Sequence, residues 1–280
     1  MKLSIIIPTF NNLDYLKFFL LSLKKNSVFD HEIVLHINDG SDGTIKFAND
    51  NHIKYTYSKF NIGLCSSMNK AYTITTSNYI LYAHDDMYFC KNWDKFLIDG
   101  INKFNDNLFY LTGINVSNGH GLINYDCGSS PNNFNENKFL KFCLDDKCTD
   151  LQSSHWAPHV IHRDLWDKIS GFSEEFNPGD GSDPDFCMKL WNVNVRVFKG
   201  ISGFKVYHFN SKTTRNKKLV LNNGTKTFLL KYGFNPKFFR KYYLKGNIST
   251  IPYLGKLTQP IKSFMYYFDL LKCKLKLIFT

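Results

Sequence analysis

The 280-residue sequence predicts an α/β fold: a mixed, mostly parallel central sheet flanked by helices, followed by a basic helical C-terminal extension. Short apolar runs of strand length alternate with segments of helical period, the pattern of a mostly parallel sheet with helices on its faces. Acidic residues follow directly on two of those runs, at Asp39 and at Asp85–Asp86, where loops leave the carboxyl ends of strands and ligands bind in such sheets. The charge also changes along the chain: residues 210–280 hold 15 Lys+Arg and one acid, Asp269, whereas the remainder holds 20 basic and 23 acidic residues. These features divide the chain into a domain over residues 1–209 and an aromatic-rich basic extension over residues 210–280.

Leu3–Pro8 reads as the first strand, and Asn11 or Asn12 as the cap of a helix that places Leu13, Leu16, Leu20 and Leu23 on one face. Glu32–Ile37 and Ile53–Ser58 are the next strands, the first running into "NDGSDGT". "NIGLCSSMNKAYTITT" is helical in pattern and leads to a fourth strand, Tyr79–Ala83. Trp93–Phe104 reads as a helix and Leu108–Val116 as a strand. Residues 117–150 are rich in Asn, Gly and Asp without a period, as in a long functional loop. A short strand and a helix near Arg163–Ile169 follow Trp156. A further helix opens at "SDPDF", with Asp183 as its N-cap and Pro184 in the first helical position.

Composition narrows the function. A chain that is 43% hydrophobic can bury one large core. Seven cysteines, with no C-x-x-C, point to free thiols in a reducing, cytoplasmic compartment. A nucleic-acid-binding domain would spread its basicity over a folded face, so the tail's charge points to another anionic partner. The first strand is followed by "PTFNN", not the G-x-G-x-x-G of a dinucleotide site. It also lacks the glycine-rich, lysine-bearing loop of a sugar nucleotidyltransferase. Two adjacent carboxylates at a strand end repel one another unless a positive group lies between them.

Taken in order, "SIIIPTFNN", "NDGSDGT", "NIGLCSSMNKA", Asp85–Asp86 and "SDPDFCMKL" resemble the family-2 inverting glycosyltransferases, with their A-type nucleotide-sugar-binding fold. The resemblance covers residues 3–209 and implies a metal-dependent transfer of sugar from a nucleotide-diphosphate donor, most often UDP, to a glycan or lipid-linked acceptor. By the same resemblance Asp86 binds Mn²⁺ or Mg²⁺, and Asp85 lies near the ribose. Asp39 accepts from the base ring, against which Pro8 or Thr9 packs. His208 completes the metal or diphosphate site, Lys212 and Arg215 hold phosphate oxygens, and Asp183 is the general base. Trp156 and His159 fall in the acceptor region, although core packing suits Trp156 better. Two positions depart from the pattern: His84 and Ser182 stand where the family carries acids. They keep open the alternative of a degenerate module that binds sugar or nucleotide without turnover.

In the tail, Phe264, Phe268, Leu271, Leu275 and Ile278 recur at helical spacing, interrupted by Lys272, Lys274 and Lys276. That pattern is a basic amphipathic helix. It lies either on an anionic membrane surface, on the cytoplasmic face, or against the protein.

Overall fold

A computed structural model describes residues 1–119, 121–153, 155–210, 222–246 and 251–278. Among the described residues, ten strands form one sheet in the order β3-β2-β1-β4-β9-β6-β10-β5, with β7 on β6 and β8 on β10. The strands are Leu3–Phe10 (β1), Glu32–Asn38 (β2), Lys54–Ser58 (β3), Tyr79–Tyr82 (β4), Met87–Phe89 (β5), Phe109–Ser117 (β6), Ile123–Asn124 (β7), Leu151–Gln152 (β8), His159–His162 (β9) and Val197–His208 (β10). β1 is parallel to both β2 and β4, with Ile5 opposite Ile33 and Leu81. β9 and β5 run antiparallel to their neighbours, so the sheet is mixed as expected. The central strands are near-continuous apolar runs because helices cover both faces: Ile5, Ile6, Ile7, Val34, Leu35 and Leu81 have no exposed surface.

The helices are Leu13–Asn26 (α1), Thr44–Asp50 (α2), Leu64–Tyr72 (α3), Trp93–Ile101 (α4), Glu136–Asp145 (α5), Arg163–Ile169 (α6), Ser182–Asn192 (α7), Gly224–Tyr232 (α8), Pro236–Phe239 (α9) and Phe264–Ile278 (α10). A π-helical turn, Arg240–Leu244, follows α9. Phe228, Phe238, Phe239 and Leu244 belong to the same apolar cluster as the strands. The seven cysteines are unbridged.

Three local expectations are corrected. Residues 117–150 are not one irregular loop: they hold β7, a short 3-10 turn and α5. The Asn135 side chain caps α5 by accepting from the Lys138 amide, and only Phe139 of that helix is fully buried, so its sequence shows a weak stripe. Asn12 occupies the N-cap position of α1, as expected, and its carbonyl accepts from the Leu16 amide at 3.0 Å, but its side chain makes no cap hydrogen bond; the Leu13 amide instead donates to Asp42 Oδ2 at 2.9 Å. The helix expected from Asp183 begins one residue earlier, at Ser182, with Gly181 (φ 83°) as N-cap. Asp183 therefore sits inside the first turn. Glycine takes that left-handed conformation without a Cβ penalty, and an N-cap aspartate would not.

Candidate active site

Parallel pairing brings the carboxyl ends of β1, β2 and β4 to one edge, and two asparagines just past β1 connect them. Asn11 Nδ2 donates to Asp39 Oδ2 at 2.9 Å, and Asn12 Nδ2 donates to Asp85 Oδ1 at 3.0 Å. The two predicted donor-site carboxylates are thus tied to the first strand's exit. Asn11 (φ 46°) and Asp39 (φ 64°) both adopt the left-handed region, which asparagine and aspartate tolerate better than most residues. Thr9 is buried and Pro8 half-buried beside them. The Thr9 hydroxyl finds no hydrogen-bond partner among the described residues.

The antiparallel pairing of β5 with the end of β10 sets the next part. His208 lies opposite Met87, and the Phe209 amide donates to the Asp86 carbonyl at 3.1 Å. This register places His208 Nε2 at 3.1 Å from Asp86 Oδ1 and 3.3 Å from His84 Nδ1. One donor atom from each of His84, Asp86 and His208 lies within 4.8 Å of the others. Asp86 is only 6% exposed. Burial works against charge on His208, but the Asp86 carboxylate outweighs it and raises the imidazole pKa. His84 is pushed the other way, to about 4, by burial and then by His208. It is therefore a neutral imidazole with a lone pair to offer.

This arrangement answers the repulsion between Asp85 and Asp86. The Asp86 carboxylate favours positive charge on the neighbouring His208, and a divalent cation would supply positive charge at the same place. Two imidazoles and a carboxylate suit a transition-metal ion. Bonds of about 2.1 Å to one ion put donors roughly 3–4 Å apart, so the observed spacing fits one cation with little movement. The Tyr82 hydroxyl lies 2.7 Å from His84 Nε2 and would fix that ring from the outer shell. His84, which the sequence pattern marked only as a departure, joins this cluster with Asp86 and His208. Tyr15 of α1 was not singled out at all; burial, then Asp86 and Asp85, raises its pKa, so it stands within their field.

Asp183 is held at the start of α7 with its Oδ1 buried and without a hydrogen-bond partner among the described residues. Burial raises its pKa from 3.8 to about 7, overriding the opposite pull of the helix N-terminus. A carboxylate with that affinity is matched to proton transfer near neutrality. Tyr82 spans the two halves: burial, then Asp183, Cys65, Asp86 and Asp85, raise its pKa, in that order. Ser182, buried, donates to the Gly179 carbonyl at 2.7 Å, so the residue replacing the family's acid shapes the loop. Asp185 is fully buried, paired with Lys231 at 2.8 Å and accepting from the Tyr232 hydroxyl at 2.7 Å. The Gly224 amide donates to Asp180 Oδ2 at 2.8 Å. Residues 222–232 therefore clasp the acidic loop from outside. Asn177 joins the same loop to α3, accepting from the Cys65 amide at 3.0 Å.

The other predicted residues lie elsewhere. His159 is 1% exposed, bonded to Tyr110 and packed against Tyr82 and Phe186, and burial lowers its pKa to about 3. It is a core residue, not an acceptor contact. Trp156 is half-buried and donates to the Gly113 carbonyl at 2.9 Å. Lys212 and Arg215 lie outside the described residues.

Residues 4–157 match the model of glycosyl transferase family 2, more than half of the chain. The chain belongs to glycosyltransferase family 2. No curated protein gives a significant match. Among solved structures, this family-2 chain is similar to residues 1–349 of S. aureus TarS at 20% identity, with a TM-score of 0.57 over 74% of this chain and 60% of that one. It is also similar to the same protein in complex with UDP-GlcNAc, at 19% identity and a TM-score of 0.54 over 75% and 61%. A third likeness is to GalNAc-T7 with UDP, GalNAc and Mn²⁺, at 14% identity and a TM-score of 0.57 over 74% and 44%. Identities at this level establish the shared fold. The chain spans about 60% of the TarS 1–349 length.

Proposed function

We propose that the protein transfers a sugar, with inversion, from a nucleotide-diphosphate sugar to a hydroxyl of a glycan or lipid-linked acceptor. The observation that carries this reading is the grouping of His84, Asp86 and His208 at the exits of the sheet strands, together with the unpartnered Oδ1 of Asp183. His84, Asp86 and His208 would hold Mn²⁺ or Mg²⁺, and the cation would neutralise the leaving diphosphate. Asp39 accepts from the nucleobase beside Pro8 and Thr9, and Asp85 receives the ribose hydroxyls. UDP is the preferred nucleotide, since the similar TarS and GalNAc-T7 structures hold UDP or UDP-GlcNAc. Lys212 and Arg215 are assigned to phosphate oxygens by the family pattern.

In the transfer, Asp183 takes the proton from the acceptor hydroxyl as its oxygen bonds to the anomeric carbon. The bond to the nucleoside diphosphate breaks on the opposite face, which inverts the centre in a single displacement. The unpartnered Oδ1 leaves a lone pair that can take the acceptor's proton directly. Calorimetry with UDP, GDP and dTDP, each with and without Mn²⁺, tests the donor assignment. Metal-dependent binding of one nucleotide that disappears in Asp86→Ala supports it. No metal-dependent binding to any of them overturns it in favour of a binding module without turnover.

A further inference from the structure

The last helix faces the wrong way for an ordinary surface helix. α10 touches the rest of the protein through one narrow face: Tyr266 and Cys273 are 7% and 4% exposed. Tyr266 packs against Phe238 and Tyr242, both with ring centroids at 5.0 Å. The Tyr242 hydroxyl lies within hydrogen-bond distance of the Met265 carbonyl (2.9 Å) and of Asp269 Oδ2 (2.8 Å), with its one proton to give to either, and Lys241 pairs with Asp269 at 2.7 Å. These contacts fix the inward side.

At about 100° per residue, Phe264, Phe268, Leu271 and Leu275 share a stripe directly opposite Tyr266 and Cys273. They are 83%, 43%, 53% and 46% exposed, with Tyr267 at the margin 54% exposed. Lys272 and Lys274 fall one on each side of the stripe, and both are exposed. The usual surface helix turns its apolar stripe to the core. Here a contiguous apolar ridge points to solvent between two lysines, a feature that marks a docking surface.

We propose that this ridge lies in the head-group region of an anionic membrane, with its aromatic and leucine side chains in the acyl boundary and its lysines on lipid phosphates. The flanking charges decide the occupant. A second copy of α10 would bring lysine rows against lysine rows, in a region with 15 basic residues and one acid. An anionic surface meets the same lysines with opposite charge, and lysine stems can lie along the apolar boundary while their ammonium groups stay wet. Among the described residues, no helix is long and apolar enough to cross a membrane, so the contact is in-plane. The surface stands independently of the transfer reaction.

The test is flotation of the full chain with vesicles of phosphatidylcholine alone, and with about 30 mol% phosphatidylglycerol to set a negative surface potential. Binding to the anionic vesicles, weakened by salt, is expected. Phe268→Ser/Leu271→Ser should abolish it while leaving the melting temperature unchanged, since both side chains are exposed. Lys272→Gln/Lys274→Gln/Lys276→Gln should weaken it on the order of a hundredfold, about fivefold per lysine. The proposal is overturned by no binding to the anionic vesicles, by equal binding to both kinds, or by binding that survives Phe268→Ser/Leu271→Ser. A concentration-dependent dimer lost in that double variant would give the ridge to a second copy instead.

Discussion

Asp183→Asn should make the protein more stable and nearly inactive, and the two effects have one cause. The folded environment raises the Asp183 pKa from 3.8 to about 7 because burial disfavours its charge. At roughly 1.4 kcal/mol per pH unit, that difference costs the folded state up to about 4 kcal/mol once the group is ionised. The carboxyl retains some solvent contact, so about 2 kcal/mol is the working figure. Between these pKa values the folded chain holds a proton that the unfolded chain has released, so stability falls as pH rises from about 4 to about 7. Below the window both forms are protonated, and above it both are ionised. Asparagine has the same shape and no charge, so the variant escapes this fall. Its advantage over wild type should grow by about 1 kcal/mol between about pH 5 and about pH 8, or roughly 2 °C in melting temperature. Wild-type kcat should rise with pH and flatten above about 7, and the variant should lose about 10²–10⁴-fold with UDP affinity retained. Thermal melts at both pH values and a nucleotide-release assay measure all of this. Retention of more than about a tenth of wild-type kcat would remove Asp183 from the role of base. A stability offset independent of pH would show that its carboxyl is not desolvated.

Three further outcomes follow from the same geometry. A Cβ on Gly224 would lie 1.9 Å from the Asp180 carbonyl oxygen. Gly224→Ala should therefore cost about 1–3 kcal/mol and displace the acidic loop, with a loss of transfer on the order of a hundredfold that thermal melts and initial rates would separate. His84→Ala should weaken Mn²⁺ binding in calorimetry more than Mg²⁺ binding, because imidazole favours the transition ion; equal loss for both ions would remove His84 from the metal's ligands. Asp39→Ala removes the acceptor proposed for the base and should weaken UDP binding by about 1–3 kcal/mol, roughly five- to 150-fold. An unchanged dissociation constant would place the base elsewhere.

Much of the sheet was legible because its strands are buried on both faces and so read as unbroken apolar runs. Strand exits were equally clear, since Asp39 and Asp85 interrupt those runs abruptly. The helix α5 escaped notice because it buries a single side chain fully and its cap, Asn135, lies in an asparagine-rich stretch where one more asparagine carries no signal. His159 misled for a different reason: a polar residue between tryptophan and an apolar run suits a pocket wall and a hydrogen-bonded core equally, and only the Tyr110 hydroxyl decides between them. Asn11 and Asn12 offered local capping, yet long-range partners at Asp39 and Asp85 won.

His84 shows how a departure from a motif can be a substitution in kind. Read as a lost acid, it weakens the metal assignment, because one negative ligand is gone. In the folded chain it faces His208 across Asp86 and keeps its lone pair through burial, so a donor is exchanged and the count of three is kept. Ser182 differs: its hydroxyl is spent on the Gly179 carbonyl, and no donor replaces the missing acid. Asp183 Oδ1 and Asp185 Oδ2 are both buried without a hydrogen-bond partner among the described residues; Lys231 and Tyr232 engage Asp185 through its Oδ1, and burial raises the Asp183 pKa to about 7. One acid fewer beside Asp183 also means less like charge to raise its pKa further, and burial becomes the cause that sets it. A carboxylate whose pKa is set by burial responds to how tightly the loop is closed, and residues 222–232 clasp that loop through Asp180 and Asp185.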